Sequence, residues 1–147
     1  MKKKLLTILL FSFLTLNSLY AKSLYFEEGV NFFQSKKFKK AQLKFEQDIV
    51  YNPKSELSYL YLSKIFKNLD KKDLQENNLN TVILINPKNE EAILNLAKLK
   101  LSTSDYKKSN DLNNSLSSFC KKLCNESRKL KIEIEKLENP MLKNFYK

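Results

Sequence analysis

The chain has 147 residues, room for one domain, with 42% hydrophobic and 29% charged residues and a formal charge of +11. It holds one Gly and three Pro, too few for the turns of a sandwich or barrel, and one Gly cannot build a glycine-rich phosphate loop. The complete lack of His excludes Ser–His and Cys–His nucleophilic pairs and ordinary c-type haem attachment. Abundant Leu, Lys and Glu favour helices.

In chain order, the first element predicted is a secretory leader. Lys2, Lys3 and Lys4 form a positive start, Leu5 to Leu16 a short apolar run, and Ala21 a small residue ahead of a cut. An uncleaved membrane anchor is the alternative reading. It is disfavoured because Asn17 and Ser18 dilute the run, which falls short of the roughly 20 residues a span needs. No Cys follows the run, which argues against a lipid-anchored lipoprotein. The predicted mature chain begins near Lys22. Without Lys2 to Lys4 it has 24 basic residues against 16 acidic ones, a net +8. Export points such a charge toward acidic proteins or the envelope surface and away from nucleic acid. The lysines read as scattered, a solvated face.

Next comes a repeat. Pro53 and Pro87 each follow Asn and close an apolar helical stretch, and they stand 34 residues apart. Tyr25, Gly29, Phe32, Phe38, Ala41, Phe45 and Pro53 are answered one period later by Tyr59, Ser63, Phe66, Leu79, Val82 and Pro87 among the equivalent places. A third unit keeps Ile93, Leu96, Ala97 and the Asp105–Tyr106 turn. It departs at Ser109 (Ala41 in the first unit, Gln75 in the second), at Asn113 and at Lys121, where Pro would stand. Pro cannot continue a helix and disfavours helical backbone at the preceding Asn, so each Asn-Pro sets a stop. Ser55 and Asn89 are placed to cap the helices that follow.

On these residues the chain resembles the tetratricopeptide-repeat family. The resemblance implies an all-α fold, a right-handed superhelical array of antiparallel helix pairs. Two repeats are clear (22–55 and 56–89) and one is degenerate (90–123), followed by a C-terminal capping helix and tail over 124–147. In the family, the first helices of successive units line a concave groove for a peptide or partner helix. Carried onto this sequence, that groove takes Phe26, Val30 and Phe33, then Leu60, Lys64 and Lys67, then Leu94, Lys98 and Leu101. Phe26 and Leu94 also suit the core of any helix pair. The family's grip on a C-terminal carboxylate uses Lys and Asn where Phe26 and Val30 stand here, so that activity is not expected.

With no Pro near 121, a helix starting at Asp105 is expected to run on. Leu116, Cys120, Leu123, Ser127, Leu130, Ile134 and Leu137 recur at four- and three-residue steps until Asn139–Pro140. That stripe has two readings, a solvating cap packed on the third unit or a heptad seam that makes a homodimer. Cys120 and Cys124, the only cysteines, stand one turn apart on the expected helix, within disulfide range of each other. An interchain bridge is the alternative if the seam pairs. Two sulfurs without His make no zinc site, and neither metal nor cofactor is expected. Asp111 followed by Asn113-Asn114-Ser115 matches a glycosylation acceptor, although mid-helix. Glu27–Glu28, Glu90–Glu91 and the Glu133, Glu135, Glu138 group read as ion-pair partners on helix surfaces. The function expected is a periplasmic or secreted protein-binding adaptor and not an enzyme. The alternative is a structural oligomer attached peripherally to the cell envelope.

Overall fold

The computed structural model describes residues 23–138; the leader and the tail from Asn139 lie outside the described residues. Among the described residues the chain forms seven α-helices and no strand. They are α1 (Leu24–Gln34), α2 (Phe38–Tyr51), α3 (Glu56–Asn68), α4 (Lys72–Ile85), α5 (Glu90–Ser102), α6 (Tyr106–Phe119) and α7 (Cys124–Glu138). Each packs mainly on its neighbours in sequence, so the chain builds a layered array of antiparallel pairs, α1–α2, α3–α4 and α5–α6, closed by α7.

The turn inside each pair is the same. Lys36, Asp70 and Ser104, spaced by the repeat, have φ of 56°, 52° and 61°. The next residue's amide reaches back to close the first helix, Lys37 N to Phe32 O and Lys71 N to Phe66 O at 2.9 Å, and Asp105 N to Lys100 O at 2.9 Å. This left-handed helix stop is usually a glycine's position. Here three L-residues hold it.

Between pairs the chain uses carboxylates. Asp48, buried within α2, accepts from Ser55 Oγ and Ser58 Oγ at 2.5 Å each and also from Ser23 Oγ. Ser55 was expected to cap α3, but makes no side-chain capping bond there because its hydroxyl is committed to Asp48. Asn89 does cap α5, accepting from Ala92 N at 2.8 Å. Glu56, first residue of α3, accepts from Asn86 Nδ2 at 3.0 Å and from Asn89 Nδ2, and so holds the second Asn-Pro turn. Glu90, one period on, meets a turn with no Asn-Pro. It instead accepts three backbone amides, Lys121 N at 2.9 Å, Lys122 N at 3.0 Å and Leu123 N at 2.8 Å.

That turn corrects the expected long helix. The helix stops at Phe119, Cys120 is extended with ψ of 146°, and α7 begins at Cys124. Glu90 supplies a negative charge to the exposed amides at the start of α7, where the helix dipole favours it. The apolar stripe is therefore folded in two. Ser127, Leu130 and Ile134 turn onto α6 and α5, while Leu137 is half exposed. Cys120 and Cys124 do not share a helix face; they are bonded across the turn, with Cα atoms 5.4 Å apart.

The core runs the length of the array. Phe26, Ala41, Phe45, Leu62, Ile65 and Phe66 fill the first part, and Leu60, Leu79, Val82, Ala92, Leu96 and Leu99 the second. Ile93, Leu94, Ala97, Leu101, Leu116, Leu130 and Ile134 fill the last. Phe45 stacks on Tyr61 at 4.9 Å and meets Phe26 edge-on at 5.7 Å. Gly29 makes that possible, since a Cβ there would sit 2.8 Å from the Phe45 ring.

Polar sequence in α6 is also explained by packing. Asn113, fully buried where the pattern wants a large apolar residue, donates to Ser127 O at 3.0 Å and accepts from Ser127 Oγ at 2.8 Å. A buried and twice-bonded Asn113 is no glycan acceptor.

Candidate functional site: a polar cleft between the second and third pairs

A cleft of about 470 Å³ opens where α3 faces α5, floored by α4. Phe33, from the end of α1, forms its apolar edge and is wedged against Tyr61 and Phe38 at 5.2 and 5.7 Å. Lys64, Lys67 and Asn68 on α3 form one wall, and Glu91 and Asn95 on α5 the other. Ser63 and Gln75 lie deepest, 2% and 6% exposed.

The electrostatics are nearly balanced. Lys64 Nζ lies 2.8 Å from Glu91 Oε1 and 5.0 Å from the centre of the Tyr61 ring. That ammonium is thus already matched across the cleft. Lys67, exposed one turn on, makes no ion pair with a described residue and leaves a net single positive charge at the mouth. Asn68 Nδ2 donates to Lys64 O at 2.8 Å and Ser63 Oγ to Leu60 O at 2.7 Å.

Of the nine groove residues expected from sequence, the structure brings Phe33, Lys64 and Lys67 together in this cleft. Phe26, Leu60, Leu94 and Leu101 are instead core, 4–7% exposed, because each sits in a cluster built from its own pair and the neighbouring helices. Val30 is half-buried against the first core cluster, and Lys98 is exposed outside the cleft. Ser63, Asn68, Gln75, Glu91 and Asn95 were missed. One of them had a signal in the sequence, since Gln75 occupies a place that Ala41 and Ser109 fill in the other units.

Of the acidic residues expected to form ion pairs, Glu28 and Glu91 do so among the described residues, and Glu90 accepts backbone amides instead. Glu28 pairs with Lys44 at 2.5 Å, Glu91 with Lys64, and Glu90 holds the α7 turn. The Glu90 carboxyl is held below its ordinary range, first by the Leu123 N–H, against some desolvation, and then by the Lys121 and Lys122 amides and the Lys122 charge. The lysines are less scattered than they read. Lys36 and Lys37, Lys71 and Lys72, and Lys107 and Lys108 lie in or beside the three turns inside the pairs, which share one end of the array.

No protein-family model matches the sequence, and no curated protein matches it. Solved structures do match the fold. The tetratricopeptide-repeat domain of Arabidopsis OM64 is similar over 80% of this chain and 96% of its own, with TM-score 0.70 and 19% identity. The Yersinia enterocolitica type III secretion chaperone SycD, in complex with a peptide of the translocator YopD, is similar over 78% and 92%, with TM-score 0.72 and 14% identity. The TPR2B domain of yeast Sti1, in its pHsp70 complex, is similar over 78% and 99%, with TM-score 0.70 and 14% identity. The repeated helix pairs, the shared turn geometry and these likenesses agree: the described chain has the tetratricopeptide-repeat fold.

Proposed function

We propose that this protein is a binding adaptor, not an enzyme, and that a peptide segment of a protein partner occupies the cleft between α3 and α5. The observation that carries the reading is the cleft itself. Its volume lies in the range of sites that accept a ligand, and it joins an aromatic edge, an exposed ammonium and neutral polar groups from three helix pairs. SycD, similar in fold, is solved with a peptide of YopD and the Sti1 domain in its pHsp70 complex, which supports the same use here. The substitutions Phe33→Asp and Lys67→Glu are expected to abolish partner capture from the envelope fraction while leaving helicity unchanged. An unaltered set of captured proteins would sink the proposal.

The leader-like start, with Lys2 to Lys4 ahead of Leu5 to Leu16, supports export to the periplasm as part of the same reading. The mass of the mature N-terminus tests it: cleavage after Ala21 is expected, and a retained Met1 in the membrane fraction would argue for an anchored subunit.

A further inference from the structure

The repeat places Ala41, Gln75 and Ser109 at one structural position on α2, α4 and α6. Ala41 is apolar and fully buried. Ser109 is fully buried too, and its hydroxyl is satisfied by Ala97 O at 2.8 Å. Gln75 is 6% exposed, lines the cleft floor, and its carboxamide has no hydrogen-bond partner among the described residues. Its amide atoms stay open to the cleft rather than sealed in the core, and two neighbouring repeats show that the position works without an amide.

The other cleft groups narrow what the amide meets. Lys64 is committed to Glu91, Ser63 to Leu60 O, and Asn68 Nδ2 to Lys64 O. Unused hydrogen-bonding capacity remains on the Gln75 carboxamide, the Asn95 carboxamide from the next pair, and the Lys67 ammonium. A carboxamide presents a donor and an acceptor in one plane. A peptide bond in an extended chain offers the complementary acceptor and donor. A carboxylate or phosphate would use only the donors and face two carbonyl oxygens and the Glu91 charge. A helix would bring its main-chain groups already paired internally.

Building on the peptide-binding reading above, we infer that the cleft takes an extended peptide and reads its main chain through the carboxamides of Gln75 and Asn95. Phe33 contacts a neighbouring apolar side chain, and Lys67 meets an acidic one at the mouth.

The test selects ligands from a displayed random-peptide library on the full chain as isolated from its host, then measures each against variants. Gln75→Leu is expected to weaken a selected peptide by about tenfold or more, while the melting temperature holds because the amide makes no hydrogen bond within the described chain. Should Gln75→Leu fail to fold, Gln75→Ala restores the residue of the first repeat and reads the same loss. N-methylation of one peptide bond should reproduce the weakening, whereas alanine substitution of that same peptide residue should not. Retained affinity in the Gln75 variants, with loss in Phe33→Asp, would remove the role of Gln75 and leave peptide binding standing. A fall in melting temperature in both Gln75 variants would make the residue structural and overturn the inference. A ligand that binds as a helix overturns the extended form. A library that yields no binder overturns this inference and the proposed function together.

Discussion

At the residue scale, small changes have large leverage because two positions are occupied by groups that only one chemistry fits. Gly29 lies under the Phe45 ring, and that ring is fully buried and stacked on Tyr61. Gly29→Ala gains helix propensity worth about 0.5–1 kcal/mol, but overpacking a site that cannot shift costs about 1–3 kcal/mol. The net expected is a loss of up to about 2.5 kcal/mol, read as a lower urea midpoint with an unchanged slope. Glu90 is the other position. Its folded-state carboxyl is held below the ordinary range by the amides of the α7 turn. The stability it contributes is therefore complete above the unfolded-state value and is lost as pH falls through the folded one. Glu90→Gln is expected to be less stable than the parent at neutral pH and indistinguishable from it once the parent's Glu90 is protonated. A gap that persists in strong acid would show that the charge is not what the turn needs.

At the element scale, the joints between helix pairs are made by different devices at the same place. Asp48 collects hydroxyls from the start of α1, the inter-pair turn and α3. Asp48→Ala would leave buried hydroxyls without their acceptor, at about 1–3 kcal/mol. Asp48→Asn, which keeps one acceptor oxygen, should lose less, and urea unfolding of the two variants ranks them. The last joint replaces the Asn-Pro stop with a carboxylate and a disulfide. The bridge closes a very short loop, so the chain-entropy argument allows at most about 2 kcal/mol. Reduction, or Cys120→Ser with Cys124→Ser, is thus expected to lower stability only modestly. Hydrogen exchange should quicken at Lys121 to Leu123 and leave α1 to α4 unchanged. A global acceleration would mean that the joint supports the whole array.

At the scale of the whole molecule, α7 finishes the array. Leu130 and Ile134, 2% and 1% exposed, cover Ile93, Leu94 and Leu101, the apolar surface of the third pair. Leu130→Ala is expected to cost about 2–5 kcal/mol by cavity formation. It should also raise the tendency to associate, because the uncovered surface has no other cover in the described chain. The stripe that could have formed a dimer seam is spent inside the protomer, and both sulfurs are bonded to each other. Light scattering is expected to give a monomer under oxidising and reducing conditions alike. A stable dimer would place an interface elsewhere, for instance on the exposed apolar positions Leu43, Val50 and Leu84 of α2 and α4.

The sequence by itself determined the pairs. The spacing of Pro53 and Pro87, the small residues Gly29, Ser63 and Ala97, and the aromatic positions between them act over one or two helix turns. Local stops and close helix contact follow directly from such residue types. Where signals depend on distant partners, only the tertiary structure decided. Phe26, Leu60, Leu94 and Leu101 share the groove register with Phe33 and Lys67, yet packing against neighbouring helices, α7 included, buries the former and leaves the latter at the cleft. The break after Phe119 has no Pro or Gly to announce it. It exists because Glu90, more than thirty residues earlier, accepts the three amides that the turn exposes. Gln75 was visible as a departure from the repeat. That its amide opens without a partner into a cleft could be known only once α3, α4 and α5 were in place.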